Sequence, residues 1–157
     1  MRGTKTAPKR SIAPDPKHRS LTLGKFVNYL MRHGKKSVAL KILYTTLDTI
    51  AEQTKQDPIK VFDQAIKNAS PLLEVRPRRI GGATYQVPME VKPDRQRALA
   101  FRTIIAAARK RQGKPMAKFL AEEIVGAFNN EGEAIKRRDD MHKLAESNRA
   151  FAHYARF

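Results

Sequence analysis

Three arginines, Arg76, Arg78 and Arg79, stand just before a Gly81-Gly82 pair, and Tyr85 follows it. Guanidinium groups bind phosphate oxygens through paired N–H donors, and an aromatic ring offers a face to an unstacked base. If the two glycines form a two-residue turn, Arg78 opposes Tyr85 and Arg76 opposes Val87. Side chains alternate along a strand, so both pairs share one face, while Arg79 and Thr84 take the other. The competing reading is a surface hairpin whose arginines only guard an edge against aggregation. Three cations in so short a stretch exceed that need, although a one-residue slip in register would undo the shared face.

A second basic group follows. Arg95, Arg102 and Arg109 recur one heptad apart, which puts them near one side of a helix, away from Phe101, Ile105 and Ala108. Lys110, Arg111, Lys114 and Lys118 extend the charge, and no acid occurs between Asp94 and Glu122. Cations at a helix carboxyl end also favour its dipole, so a plain solvated face is the alternative. That alternative leaves the missing acids unexplained.

Catalytic chemistry finds no comparable pattern. His18, His33, His142 and His153 are scattered over a tail, a helix end, a charged helix and a terminus, without ligand spacing. Glu122 and Glu123 are helix neighbours about 100° apart, a poor acid/base couple. Asp139-Asp140 beside Arg137-Arg138 reads as a local ion pair, and Gly81-Gly82 lacks the spacing of a phosphate loop. No cofactor, metal site or enzyme activity is expected.

The elements that must position these cations read as helices around one core. The chain has 157 residues with 32 Lys+Arg against 15 Asp+Glu, a formal charge of +17, and 41% hydrophobic residues. Such charge opposes compaction by self-repulsion and calls for a polyanion, most commonly nucleic acid. No apolar run approaches the roughly 20 residues of a membrane span. The absence of cysteine removes disulfides, thiolate metal sites and a cysteine nucleophile, and fits a reducing compartment. No apolar signal segment follows the basic start, so the cytoplasm is expected.

Residues 1–19 carry Arg2, Lys5, Lys9, Arg10, Lys17 and Arg19 against one acid, Asp15, with prolines that block helix. They predict a basic arm, mobile until it meets an anion. Helical periodicity then runs from a Ser20 cap to His33-Gly34, and through Val38, Ala39, Ile42, Leu43, Leu47 and Ile50. Asp57-Pro58 opens a third helix. The period changes to two over about 72–91, a hairpin projecting from the helices because Pro77 and Pro88 bar it from a larger sheet. Further helices start at Lys92-Pro93-Asp94, at Pro115 and after Gly132, the last weakly amphipathic to about Ser147. The expectation is a mainly α chain. It comprises a single bundle of about six helices over 20–147, a protruding two-stranded β-hairpin, and extended basic termini, the last being 148–157.

Phe26-Val27-Asn28, Gly34-Lys35-Lys36, Ile42-Leu43 with Thr46, and Ala13-Pro14-Asp15-Pro16 resemble the signature of the small ribosomal subunit protein seven family. So do Val75-Arg76, the run from Arg79 to Pro88, and Ala150-Phe151-Ala152-His153-Tyr154, which is similar to the bacterial or organellar branch. The likeness spans essentially the whole chain in order. It implies a structural protein that binds the three-prime major domain of small-subunit ribosomal RNA early and organises the head. The arm, Lys35, Lys36 and the loop from Arg109 to Lys118 with Met116 would face that RNA. Arg76, Arg78, Arg79 and Tyr85 would lie near exit-site transfer RNA and the messenger exit path. Arg149, Tyr154 and Arg156 would lie near the transfer RNA and ribosomal protein eleven. The implied location is ribosome-bound in the cytoplasm, with a plastid ribosome open. His18 departs from the family's usual aromatic residue.

The mechanism read from these features is electrostatic docking with counterion release, followed by shape recognition by the helices. The rival is a DNA-architectural protein whose basic ribbon wraps duplex DNA, usually as a dimer. A membrane-surface or partner-binding helical module ranks last, because the apolar stripes are consumed by the core.

Overall fold

Two helix starts follow local side-chain capping in the computed structural model, which describes residues 11–156 and side chains through Tyr154. α1 (Leu21–Leu30) begins where the Ser20 hydroxyl accepts the Leu23 N–H. α3 (Pro58–Ala69) begins where the Asp57 carboxylate accepts the Ile59 N–H at 3.0 Å, with Pro58 in its first turn. α2 (Lys36–Thr54), α4 (Pro93–Lys110), α5 (Met116–Phe128) and α6 (Glu133–Ser147) complete the bundle. α1 stops at Leu30, before the expected His33-Gly34 end; both of those residues take positive φ in the turn to α2.

Leu23, Phe26, Leu43, Ile50, Phe62, Ile104, Leu120 and Ile124 bring α1 to α5 onto one core. Phe26 meets Phe62 and Phe101 edge-to-face, with ring centroids 5.1 and 5.3 Å away. Val38, expected on the buried stripe of α2, is 52% exposed. It stands in the first turn of α2, beside an open groove, while Ala39 next to it is buried.

β1 (Leu73–Ile80) and β2 (Ala83–Glu90) form a two-stranded antiparallel sheet. Its register pairs Arg78 with Tyr85 and Arg76 with Val87, as the two-residue turn requires. Gly81 and Gly82 adopt φ of 55° and 89°, a combination that side chains rarely tolerate. The end with Arg79, the glycines and Thr84 is exposed, whereas Glu74, Val87 and Pro88 at the base are buried. α6 holds that base: the Leu72 N–H donates to His142 Nε2 at 2.9 Å.

Both termini make contacts with the rest of the fold over the described residues. Asp15 is 2% exposed and accepts hydrogen bonds from the Lys17 and His18 N–H groups and the Tyr44 hydroxyl. Residues 13–15 also press against α1 at Gly24, where an added Cβ would sit 2.7 Å from the Ala13 carbonyl oxygen. A single buried acid therefore anchors this stretch despite its lack of apolar bulk. At the other end, Arg149–Arg156 forms a 3-10 helix. That winding eclipses side chains three apart, so Phe151 and Tyr154 present one aromatic face, which packs on Tyr85 of β2.

Candidate nucleic-acid interface

α4 organises the basic residues at its two ends. Arg95 and Arg109 are fourteen residues apart, or about 21 Å along the helix.

At the carboxyl end, the α1–α2 turn meets the start of α5. Leu30, Arg32, His33, Lys35, Arg109 and Met116 line a groove of about 310 Å3. The predicted residues Lys35, Arg109 and Met116 thus come together from three parts of the chain. Arg109 donates to the Leu30 carbonyl at 3.0 Å, satisfying an acceptor at the end of α1. Burial, followed by the nearby charge of Arg32, lowers its pKa, yet a guanidinium remains cationic. Lys36 and Lys118 are exposed, and neither has an ion-pair partner among the described residues.

The α4–α5 loop is less acid-free than its local sequence. Arg111 bonds Glu122 at 2.9 Å and Glu123 at 3.2 Å, Lys114 bonds Glu122 at 2.8 Å, and Lys110 lies 3.4 Å from Glu133. Folding brings these acids from α5 and α6 to cations that have none nearby in the chain. Lys114's hydrogen bond to Glu122 is the main cause of a lowered carboxyl pKa, ahead of an opposing desolvation effect.

At the amino end of α4, Arg95 and Arg76 converge on Glu74. Arg95 Nε is 2.8 Å from the Glu74 carboxylate, and Arg76 also pairs with it. Burial pushes the Glu74 carboxyl upward, but hydrogen bonds from Arg95 and Arg76 and their charges leave its pKa lowered. Arg102, between the ends, lies over the Tyr29 ring at 5.6 Å. All three members of the arginine stripe therefore make contacts within the fold. All three are nonetheless exposed on the side of α4 away from Phe101, Ile105 and Ala108.

On the hairpin, Arg78 is half-buried and Arg79 exposed, with no ion pair to either among the described residues. Tyr85 does share the Arg76 and Arg78 face, but its ring lies 5.0 Å from Phe151 and 5.7 Å from Tyr154. Arg149 is exposed at the start of the 3-10 helix. Lys17 lies over the Tyr44 ring at 5.2 Å and 4.0 Å from Asp48, and His18 meets the same ring edge-on at 6.0 Å. Arg2, Lys5, Lys9, Arg10 and the Arg156 side chain lie outside the described residues.

Sequence reading misses Arg32 and His33 in the groove, although both adjoin Lys35-Lys36. It also misses Tyr29, Glu74 and the positioning of cations by Glu122 and Glu123, for which local sequence has no signal. Among the described residues, no group of three or more His, Cys, Asp or Glu side chains has the arrangement of a metal site. No described helix is long and apolar enough to cross a membrane.

A helical bundle with a basic ribbon and clustered surface cations has the architecture of a structural, polyanion-binding class of protein. The family model described as ribosomal protein S7p/S5e matches residues 2–149, and the chain belongs to that family. The chain is 58% identical over 145 residues to small ribosomal subunit protein uS7 of Dictyoglomus turgidum, covering 92% of this chain and 93% of the relative. It is 55% identical over 148 residues to the protein of the same name from Thermotoga maritima, covering 94% and 96%. The Chloroflexus aurantiacus counterpart is 53% identical over 148 residues, with 94% coverage of both chains.

Proposed function

We propose that this protein is a structural component of the small ribosomal subunit that binds ribosomal RNA directly. The observation that carries the proposal is the groove joining Lys35, Arg109 and Met116, with Arg32 and His33 beside them and Lys36 and Lys118 exposed nearby. Such a surface neutralises several phosphates while the bundle supplies a rigid shape for one RNA junction. Its RNA site is the three-prime major domain, and binding there organises the subunit head. The exposed hairpin end, with Arg79 and the adjoining Arg78, approaches exit-site transfer RNA and the messenger exit path. The 3-10 segment with Arg149 and Tyr154 contributes beside ribosomal protein eleven. The protein acts while ribosome-bound in the cytoplasm.

The test is competition binding at near-physiological salt. A folded fragment of the RNA head domain is set against equal masses of duplex DNA and unrelated structured RNA. Specific recognition predicts affinity for the fragment orders of magnitude above either competitor. Equal affinity for all three would reduce the protein to a polycation and defeat the proposal.

A further inference from the structure

We propose that Glu122 is a positioning residue for RNA recognition, holding Arg111 and Lys114 in the arrangement in which they meet phosphate. This inference rests on the RNA-binding function proposed above.

Glu122 reaches across the loop between α4 and α5. One of its oxygens accepts from Arg111 at 2.9 Å and the other from Lys114 at 2.8 Å. The two cations flank Gly113, whose φ of 100° permits the chain to reverse between them. Arg111 is held a second time by Glu123 at 3.2 Å. Glu123 is itself buried, and its other oxygen accepts the Ala134 N–H at 2.8 Å. The loop is thereby tied to α5 directly and to the start of α6 through Glu123.

This arrangement leaves binding capacity in both cations. Arg111 uses two of its N–H donors in these pairs and Lys114 uses one, leaving guanidinium and ammonium donors for phosphate. Their side chains are 39% and 56% exposed, so they remain accessible. Lys114's hydrogen bond keeps the Glu122 carboxyl below its ordinary pKa and therefore ionised at neutral pH. A carboxylate in a basic surface would, by charge alone, repel RNA. Long cationic side chains, however, lose rotamer freedom on binding, and a bridge that has already ordered them reduces that cost. Positioning and repulsion thus predict opposite effects of removing the charge.

The experiment compares wild type, Glu122→Gln, Glu122→Asp and Glu52→Gln. Glu52 is an exposed acid on α2 without an ion pair among the described residues. Each full-length protein is titrated against the folded head-domain fragment and an unrelated RNA duplex. Urea midpoints confirm that each variant is folded.

Glu122→Gln is expected to weaken fragment binding about tenfold while leaving duplex binding unchanged or tighter. Glu122→Asp keeps the charge but shortens the reach, so it is also expected to bind the fragment more weakly. Glu52→Gln should bind it no worse than wild type. A Glu122→Gln protein that binds the fragment as tightly as wild type, or more tightly, overturns the inference. If wild type itself shows no preference for the fragment, the RNA-binding proposal fails and takes this inference with it. The wild-type titration therefore separates the two failures.

Discussion

The ring of Tyr85 on β2 lies 5.0 Å from that of Phe151, and Tyr154 on the same 3-10 segment lies 5.7 Å away. This contact makes one aromatic cluster from the hairpin and the chain end. It also occupies a ring that the sequence offers for stacking on a base. The ring stays half-exposed beside the arginine-rich hairpin end.

Phe151→Ala is expected to release the 3-10 segment, with a local cost of about 1 kcal/mol from the lost aromatic pairing. Hydrogen exchange should show faster amide exchange over 149–156 while the urea midpoint of the bundle changes little. Unaltered protection there would mean that the cluster does not hold the segment.

The close approach of residues 13–15 to α1 leaves no room for a Cβ at Gly24. Gly24→Ala is expected to cost about 1–3 kcal/mol through overpacking. That exceeds or offsets the roughly 1 kcal/mol by which alanine favours a helix interior. Urea unfolding measures the net change, and proteolysis should cut near residues 11–19 sooner than in wild type.

Glu74 links stability to acid because its carboxyl pKa is lowered in the fold. Its contribution is present above the unfolded carboxyl value of about 4.3 and declines as pH falls through the lower folded value. Glu74→Gln is expected to cost about 1 kcal/mol at neutral pH, a modest value because Arg76 and Arg95 remain roughly half exposed. The gap from wild type should shrink as pH falls below that unfolded value and Glu74 becomes protonated. A constant gap in urea unfolding across that window would show that ionisation is not its source.

Arg79 and Arg95 should separate binding from folding. Arg79 is exposed without an ion pair among the described residues, so Arg79→Ala should change stability by no more than about 0.5 kcal/mol. If it contacts one phosphate, the salt dependence of RNA binding should fall by about one unit in logarithmic slope. Arg95→Ala instead removes a partner of buried Glu74 and should lower the urea midpoint. An unchanged midpoint for Arg95→Ala would remove the structural role assigned to that pair.

The chain order of helices and hairpin was legible because its signals act over a few residues. Ser20 and Asp57 cap nearby N–H groups, prolines open helices, and Gly81-Gly82 sets the Arg78–Tyr85 register through turn geometry. The basic character was equally plain from composition. Packing decided which cations remain available and which acids accompany them. Glu74 takes Arg76 and Arg95, Glu122 takes Arg111 and Lys114, and Phe151 reaches Tyr85. Asp15, a lone acid among cations in the sequence, becomes the buried anchor of its segment through Tyr44 on α2. Local backbone chemistry is encoded by adjacent residues, whereas a charge's partners depend on which distant elements share a surface after the core has packed.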